Sequence, residues 1–162
     1  ACSQRGQPLL RLERPSVPLG HARLLPGLGD LHGLDLGGRR LLLAIGARQL
    51  QRAVSLTPAA LHHARILPSA GALAEAMAAG LAPERVACLR PTAQGMVERA
   101  LCRRWRIELV LCRRSGGPGE ALWHTITAAE GIGLLLLERP AEPSGIACLG
   151  RTALLERIGT PK

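Results

Sequence analysis

Glycine, serine and arginine are grouped in residues 112–119, which read Cys-Arg-Arg-Ser-Gly-Gly-Pro-Gly. The segment follows an apolar run at 107–111, typical of a buried strand, and precedes a pattern at 120–130 that predicts a helix. Glycine lets the backbone approach a ligand closely, a helix N-terminus favours negative charge, and arginine binds oxyanions in a bidentate manner. This pattern predicts an anion-binding turn, and an ordinary turn that needs glycine only for its geometry is the alternative. The candidate residues are Arg113, Ser115, Gly116, Gly117 and Gly119.

The elements that would position this turn are short apolar runs that alternate with longer amphipathic stretches. Near-continuous apolar strands separated by helices favour an α/β fold: a Rossmann-like parallel sheet of about five strands, with helices on both faces. In the helix at 93–104, Val97, Ala100 and Leu101 are expected to form one apolar face. The expected strands are 40–45, 64–67, 85–89, 107–111 and 132–137, with 146–149 as a last short one, and the expected helices are 49–54, 70–79, 93–104, 120–130 and 152–158.

The first 38 residues differ from the rest, because prolines and glycines are frequent there and periodic apolar patterns are few. A short strand at 9–12 is the one element expected in them. The sequence therefore predicts a loop-rich segment at 1–38, the remnant of a first domain, followed by a Rossmann-like α/β domain at 39–162.

Ligands of such sheets bind where the strands end at their carboxyl termini. Gly46 and Arg48 follow the first expected strand, and Arg90 and Thr92 follow the third. Together with the turn at 113–119, these loops contain no acidic residue before Glu120. The edge of the sheet that they share is therefore expected to bind an anion.

Composition narrows the function classes. The 21 basic and 12 acidic residues give a net charge of +9, which is typical of nucleic-acid binding. However, the arginines are scattered, and aromatic residues for base stacking are only 1% of the chain, so no nucleic-acid partner is expected.

No apolar stretch is long enough to span a bilayer, so no membrane partner is expected. The five cysteines lack metal-ligand spacing; buried free thiols predict a cytoplasmic protein without a metal site.

The order and spacing of several segments resemble the C-terminal half of the precorrin-6A reductase family of cobalamin biosynthesis, with cyanobacterial members the most similar. The resemblance covers roughly residues 9–149. The segments that carry it are 10–15 (Leu-Arg-Leu-Glu-Arg-Pro), 64–68 (Ala-Arg-Ile-Leu-Pro), 80–81 (Gly-Leu), 83–86 (Pro-Glu-Arg-Val), 90–93 (Arg-Pro-Thr-Ala), 98–107, 115–123 (Ser-Gly-Gly-Pro-Gly-Glu-Ala-Leu-Trp) and 134–140.

The resemblance implies an NADPH-dependent oxidoreductase that reduces a ring double bond of a tetrapyrrole corrin precursor, precorrin-6A or cobalt-precorrin-6A, with no flavin and no protein-bound metal. It also implies cofactor-binding and substrate-binding groups, while no catalytic acid or base is assigned. The implied cofactor-binding residues are Gly46, Arg48, Arg113, Ser115, Gly116, Gly117 and Gly119. The implied substrate-binding residues are Arg65, Arg90, Thr92 and Arg114.

The sequence also departs from that family. Its first domain opens with a Gly-Gly-Thr turn at the dinucleotide, and residues 1–38 contain no match, so an upstream domain is expected and this chain alone is expected to be a poor reductase. Arg113 and Arg114 stand where many members have Lys and Asp, and Trp123 where many have Lys. A non-catalytic anion- or nucleotide-binding α/β module is the alternative function.

Overall fold

The structure is a computed structural model that describes residues 9–13, 17–90, 94–140 and 146–159. Thr92, one of the expected substrate-binding residues, lies outside the described residues. Short 3-10 turns occupy Leu28–Gly33, Ala47–Gln49 and Pro83–Arg85. The strands are β1 (Leu10–Leu12), β2 (Arg23–Leu25), β3 (Arg40–Ala44), β4 (Leu61–Ile66), β5 (Val86–Cys88), β6 (Leu109–Arg113), β7 (Gly133–Leu137) and β8 (Ala147–Leu149). The helices are α1 (Leu50–Leu56), α2 (Ala70–Ala78), α3 (Met96–Trp105), α4 (Pro118–Glu130) and α5 (Arg151–Gly159).

Six strands form one parallel sheet in the order β2-β7-β6-β3-β4-β5. Helices lie on both of its faces, because successive strand residues point to opposite sides and each side is covered. Leu41 and Leu43 of β3 belong to the cluster that contains Leu50 of α1, whereas Leu42 belongs to the cluster with Trp123 of α4. The predicted Rossmann-like α/β architecture is therefore confirmed, with six strands in this sheet rather than about five.

The additional strand comes from a segment that was expected to be loop. β2 pairs in parallel with β7, Arg23 opposite Leu135, and Leu25 is only 2% exposed. Leu28, Leu31 and Leu36 that follow are buried as well. The expectation of irregular structure through residue 38 was wrong for this part, because a three-residue strand has no readable period and gains its hydrogen bonds from a partner more than one hundred residues away.

The chain divides into two compact units, and the division does not fall at residue 38. One unit comprises Val17–Arg139 and contains the six-stranded sheet. The described part of the other contains β1, β8 and α5; β1 and β8 pair in parallel with Leu10 opposite Ala147. The expected strand at 146–149 is present but pairs with β1 instead of the large sheet. That the opening segment is the remnant of a first domain stays a prediction.

Candidate functional site

The order of the strands reverses between β3 and β6, which are direct neighbours with Ala44 opposite Cys112. The chain proceeds from β3 toward β4 on one side and from β6 toward β7 on the other, so the two connections diverge and leave a crevice at the carboxyl ends of the strands. We call the loops that flank this crevice the rim: residues 45–48 after β3 and 114–117 after β6. In a parallel sheet, this is the place where a ligand can reach backbone from two loops at once.

Arg113, the last residue of β6, joins the two loops of the rim. Its Nε donates a hydrogen bond of 2.8 Å to the carbonyl oxygen of Ile45. Thus the structure brings together the loop of Gly46 and Arg48 and the loop of Ser115, as the sequence predicted. Because only Nε is used in this bond, the guanidinium retains terminal N–H groups that can bind an oxyanion.

The loop after β3 is open and needs its glycine. Gly46 has φ +90° and ψ 150°, a backbone conformation that residues with a side chain rarely adopt. No described heavy atom lies within 4 Å of the position a Cβ would take there. Arg48 follows in the 3-10 turn with an exposed side chain. This loop therefore offers both free space against its backbone and a positive charge.

Backbone N–H groups of the loop after β6 are already hydrogen-bonded to side chains of the same segment. Gly116, with φ +63°, donates its N–H to Oε2 of Glu120 at 2.6 Å. Gly117 donates weakly to the Ser115 hydroxyl at 3.4 Å and is the N-cap of α4. Pro118 has no N–H. The Gly116 amide, which was expected to bind an anion, thus already donates to a carboxylate of the chain itself.

Glu120 is the site residue that sequence reasoning missed. It is the third residue of α4, the position from which a glutamate side chain reaches back to the N-terminal backbone in a capping box. That spacing from the glycine N-cap was the available signal. The residue is 1% exposed, and its Oε1 has no hydrogen-bond partner among the described residues. Oε1 lies 3.9 Å from Nε2 of His124.

The Glu120 carboxylate also influences the Cys112 thiol, which lies in β6. Burial raises the pKa of the Cys112 thiol to about 12, and the nearby Glu120 carboxylate adds to that rise. A thiol with this pKa stays protonated at neutral pH, so Cys112 is no nucleophile. Its role in the structure is that of a buried apolar residue in the α4 face of the sheet.

The described residues that were expected to bind substrate do not form one cluster at the rim: Arg114 belongs to the rim, whereas Arg65 lies in β4 and Arg90 follows β5. Arg114 pairs with Glu138 at 2.7 Å, and Arg65 lies within β4, facing Glu98 of α3 at 3.9 Å. Arg90 is exposed after β5, separated from β3 by β4. Thr92 is outside the described residues. Gly119, expected to contact cofactor, is the second residue of α4 with open space around it.

Arg114 and Glu138 belong to a network that ties the end of β6 to β7. Arg139 donates its Nε to the Arg114 carbonyl oxygen at 2.8 Å and its backbone N–H to Glu138 at 2.9 Å. That backbone bond, with the Arg114 guanidinium, lowers the pKa of Glu138. Arg114 therefore takes part in contacts that join the carboxyl ends of β6 and β7.

Two further features bear on the class of site. Within residues 9–13, 17–90, 94–140 and 146–159, no three histidine, cysteine or acidic side chains are grouped so that they could hold a metal ion. In the same ranges, no helix combines the length and apolar character that crossing a bilayer requires.

Comparison with known proteins gives consistent matches. The family model described as precorrin-6x reductase CbiJ/CobK matches residues 1–155. A cobalt-precorrin-6A reductase from Synechocystis sp. (strain ATCC 27184 / PCC 6803 / Kazusa) is 37% identical over 141 residues, which cover 82% of this chain and 53% of that protein. The solved structure of a CobK precorrin-6A reductase superposes with a TM-score of 0.69 at 22% identity, over 98% of this chain and 63% of that one. The chain thus spans about half the length of the curated relative that it matches.

Proposed function

This chain belongs to the precorrin-6x reductase family CbiJ/CobK, and we propose that it takes part in reducing a ring double bond of precorrin-6A or cobalt-precorrin-6A with NADPH. Its role in that reaction is to hold the anionic groups of cofactor and substrate at the rim. The cofactor supplies the hydride, so the protein needs to position and polarise rather than to provide an acid or base.

The observation that carries this proposal is the hydrogen bond from Arg113 to Ile45. It fixes a guanidinium in the crevice where the strand order reverses, directly beside the open backbone of Gly46. Arg48 adds a second, exposed guanidinium from the neighbouring loop. Two arginines beside a glycine that leaves the backbone accessible suit a phosphate of NADPH, because guanidinium groups bind such oxyanions in a bidentate, charge-assisted manner.

Substrate carboxylates require a second set of positive groups. Among the residues expected to serve them, Arg90 is exposed at the same edge of the sheet, at the end of β5. Arg65 and Arg114 already face carboxylates of the protein. We therefore place the substrate's carboxylates toward Arg90 and the nucleotide toward Arg48 and Arg113. In this proposal, the cofactor is also lined by the loop after β6 and the start of α4, through Ser115, Gly116, Gly117 and Gly119.

The experiment is a titration of the chain with NADPH, followed by NADPH fluorescence. Arg48→Gln is expected to weaken binding by about tenfold, the scale of one lost charge-assisted hydrogen bond. Arg113→Gln is expected to weaken it more, since the tie to Ile45 is lost as well. The matched control is Arg104→Gln on α3, which removes the same charge from another exposed arginine. Equal weakening by the control would show that only net charge matters, and unchanged binding in Arg48→Gln and Arg113→Gln would contradict the assignment.

Turnover separates the reductase from the alternative, a non-catalytic nucleotide-binding module. Oxidation of NADPH is followed with precorrin-6A and with cobalt-precorrin-6A, on this chain and on a version extended at its N-terminus. Proximity and orientation can contribute about 7–11 kcal/mol to barrier lowering, so a chain that held only part of the cleft would turn over slowly and the extended version fast. Equal turnover would contradict that expectation, whereas NADPH binding without oxidation in either version would favour the module.

A further inference from the structure

The loop after β6 carries a negative charge directly behind its backbone. The side chain of Glu120 is fully buried, and its Oε2 lies 2.6 Å from the Gly116 nitrogen. An anion bound to this loop would have to displace that carboxylate or lie next to it. Both cost free energy, because like charges repel strongly where solvent is excluded.

The remaining backbone groups of the loop offer little compensation. The amide of Gly117 faces the Ser115 hydroxyl, and its carbonyl oxygen accepts from the N–H of Glu120 at 3.1 Å and from that of Ala121 at 3.2 Å. Pro118 has no N–H to give. The loop therefore lacks the run of available amides by which a helix N-terminus binds a phosphate.

We propose that Glu120 is a specificity-determining residue that excludes phosphate and carboxylate groups from the loop at 115–117 and leaves it to a neutral hydrogen-bonding group, such as a hydroxyl or a carboxamide. This inference rests on the proposed function, which places a nucleotide at the same rim. It divides the rim into two halves. The half with Gly46, Arg48 and the Arg113 guanidinium takes the anion, and the half with Ser115 takes an uncharged part of the same ligand.

A second observation supports the assignment of Glu120 to ligand selection. Its Oε1 is buried without a hydrogen-bond partner among the described residues. A carboxylate that served only to cap the helix would be expected to satisfy both oxygens, since an unsatisfied buried acceptor costs about 1–3 kcal/mol. Oε1 lies 3.9 Å from Nε2 of His124, an atom that is likewise buried without a hydrogen-bond partner among the described residues.

The test uses inorganic phosphate as the probe and the amide resonances of Gly116 and Gly117 as the local readout, in nitrogen–proton correlation spectra of the chain. Spectra of every variant are recorded in the same buffer at the same pH, so that the samples differ only in the substituted side chain. In the unsubstituted chain, phosphate is expected to leave both resonances in place while shifting those of Gly46 and Arg48.

Glu120→Gln removes the charge, and its amide oxygen can still accept from Gly116. In this variant, phosphate is expected to shift the Gly116 and Gly117 resonances and to bind there at least about tenfold more tightly than in the parent chain, the scale of one removed like charge at close range. The matched control is Glu84→Gln, an exposed glutamate at the amino end of β5 on the opposite edge of the sheet. It is expected to leave these resonances unresponsive to phosphate.

Three outcomes would overturn the inference. The first is a phosphate-dependent shift of the loop resonances in the parent chain, which would show that Glu120 does not exclude phosphate. The second is a Glu120→Gln variant with a native-like spectrum that stays unresponsive, and the third is an equal response of the Glu84→Gln control. None of these outcomes depends on NADPH, so the inference can fail while the nucleotide titration succeeds, and the reverse also holds. Thermal unfolding of Glu120→Gln, together with Glu120→Asp as a variant that keeps the charge and should stay unresponsive, separates loss of fold from loss of selectivity.

Discussion

Two glutamates on successive helices of the same sheet face, Glu98 of α3 and Glu120 of α4, are equally buried at 1% exposure but have opposite partners. Glu98 faces the Arg65 guanidinium of β4, with 3.9 Å between Oε1 and Nη2. Glu120 accepts from a backbone amide at the rim. The difference shows that burial of a carboxylate does not define its role. The first faces a cation inside the fold, whereas the second accepts a hydrogen bond from a loop that we propose contacts a ligand.

The side chains around Glu98 pack in the interior of the protein. His63 stacks against Trp105 of α3 with ring centroids 5.0 Å apart. Burial, aided by nearby Glu130 and Glu98, raises the pKa of Cys102 to about 12. Burial also lowers the pKa of Arg65, opposed by Glu98, as expected for a guanidinium that has lost water and gained a carboxylate. These side chains thus join α3 to β4.

The largest effect that would test this comparison is expected from Glu98→Ala. It leaves the Arg65 guanidinium largely buried without its carboxylate, and removing one partner of such a pair costs about 3–5 kcal/mol. The free energy of unfolding, measured by urea denaturation, should fall by that amount. Glu75→Ala on the exposed side of α2 is the control and should change it little. The double variant Arg65→Met/Glu98→Leu should recover much of the loss; a loss below about 1 kcal/mol in Glu98→Ala would mean that the pair is not structural.

A smaller loss of stability is expected from Glu120→Ala. It leaves the Gly116 N–H without its acceptor, which costs about 1–3 kcal/mol for a partly buried group, whereas Glu120→Gln should cost less because an amide oxygen can replace the carboxylate. Urea denaturation gives the totals, and hydrogen exchange of the Gly116 amide locates the change. If Glu120→Ala destabilised the chain as much as Glu98→Ala, the distinction between a structural and a rim carboxylate would fail.

The smallest effect is a dependence of the free energy of unfolding on pH, and it arises from two histidines of β4. Burial lowers the pKa of His62 and of His63 from the ordinary 6.5. Between the folded and the ordinary pKa the unfolded chain binds more protons, so the free energy of unfolding should fall as pH drops through 6.5 and level off below the folded values. Urea denaturation at about pH 7 and about pH 5 measures the slope, which His63→Gln should reduce. His32→Gln, at an exposed position, should leave the slope unchanged, and an unchanged slope in His63→Gln would exclude His63 as its source.

How far the sequence could predict this site differs between the two loops of the rim. The position of Gly46 and Arg48 follows from the end of an apolar run, and their proximity to Arg113 follows from parallel pairing at a shared edge. The occupation of the Gly116 amide did not follow, because Glu120 was taken for a residue of the helix only. The apolar face expected on α3 was wrong for a related reason: Val97 is 46% exposed, while Glu98 and Cys102 are buried. The Arg65 guanidinium made burial of a carboxylate favourable, and periodicity does not show such a partner.

The sequence by itself determined the α/β class, the alternation of strands and helices, and the glycine, serine and arginine of the rim. These follow from local patterns, because apolar periodicity and turn chemistry act over a few residues. The tertiary structure alone decided that β2 joins the sheet beside β7, that β8 pairs with β1, and that the buried Glu98 faces Arg65. Each of these rests on contacts between residues far apart in the chain, and their free energy is set by what surrounds a side chain once the sheet has formed.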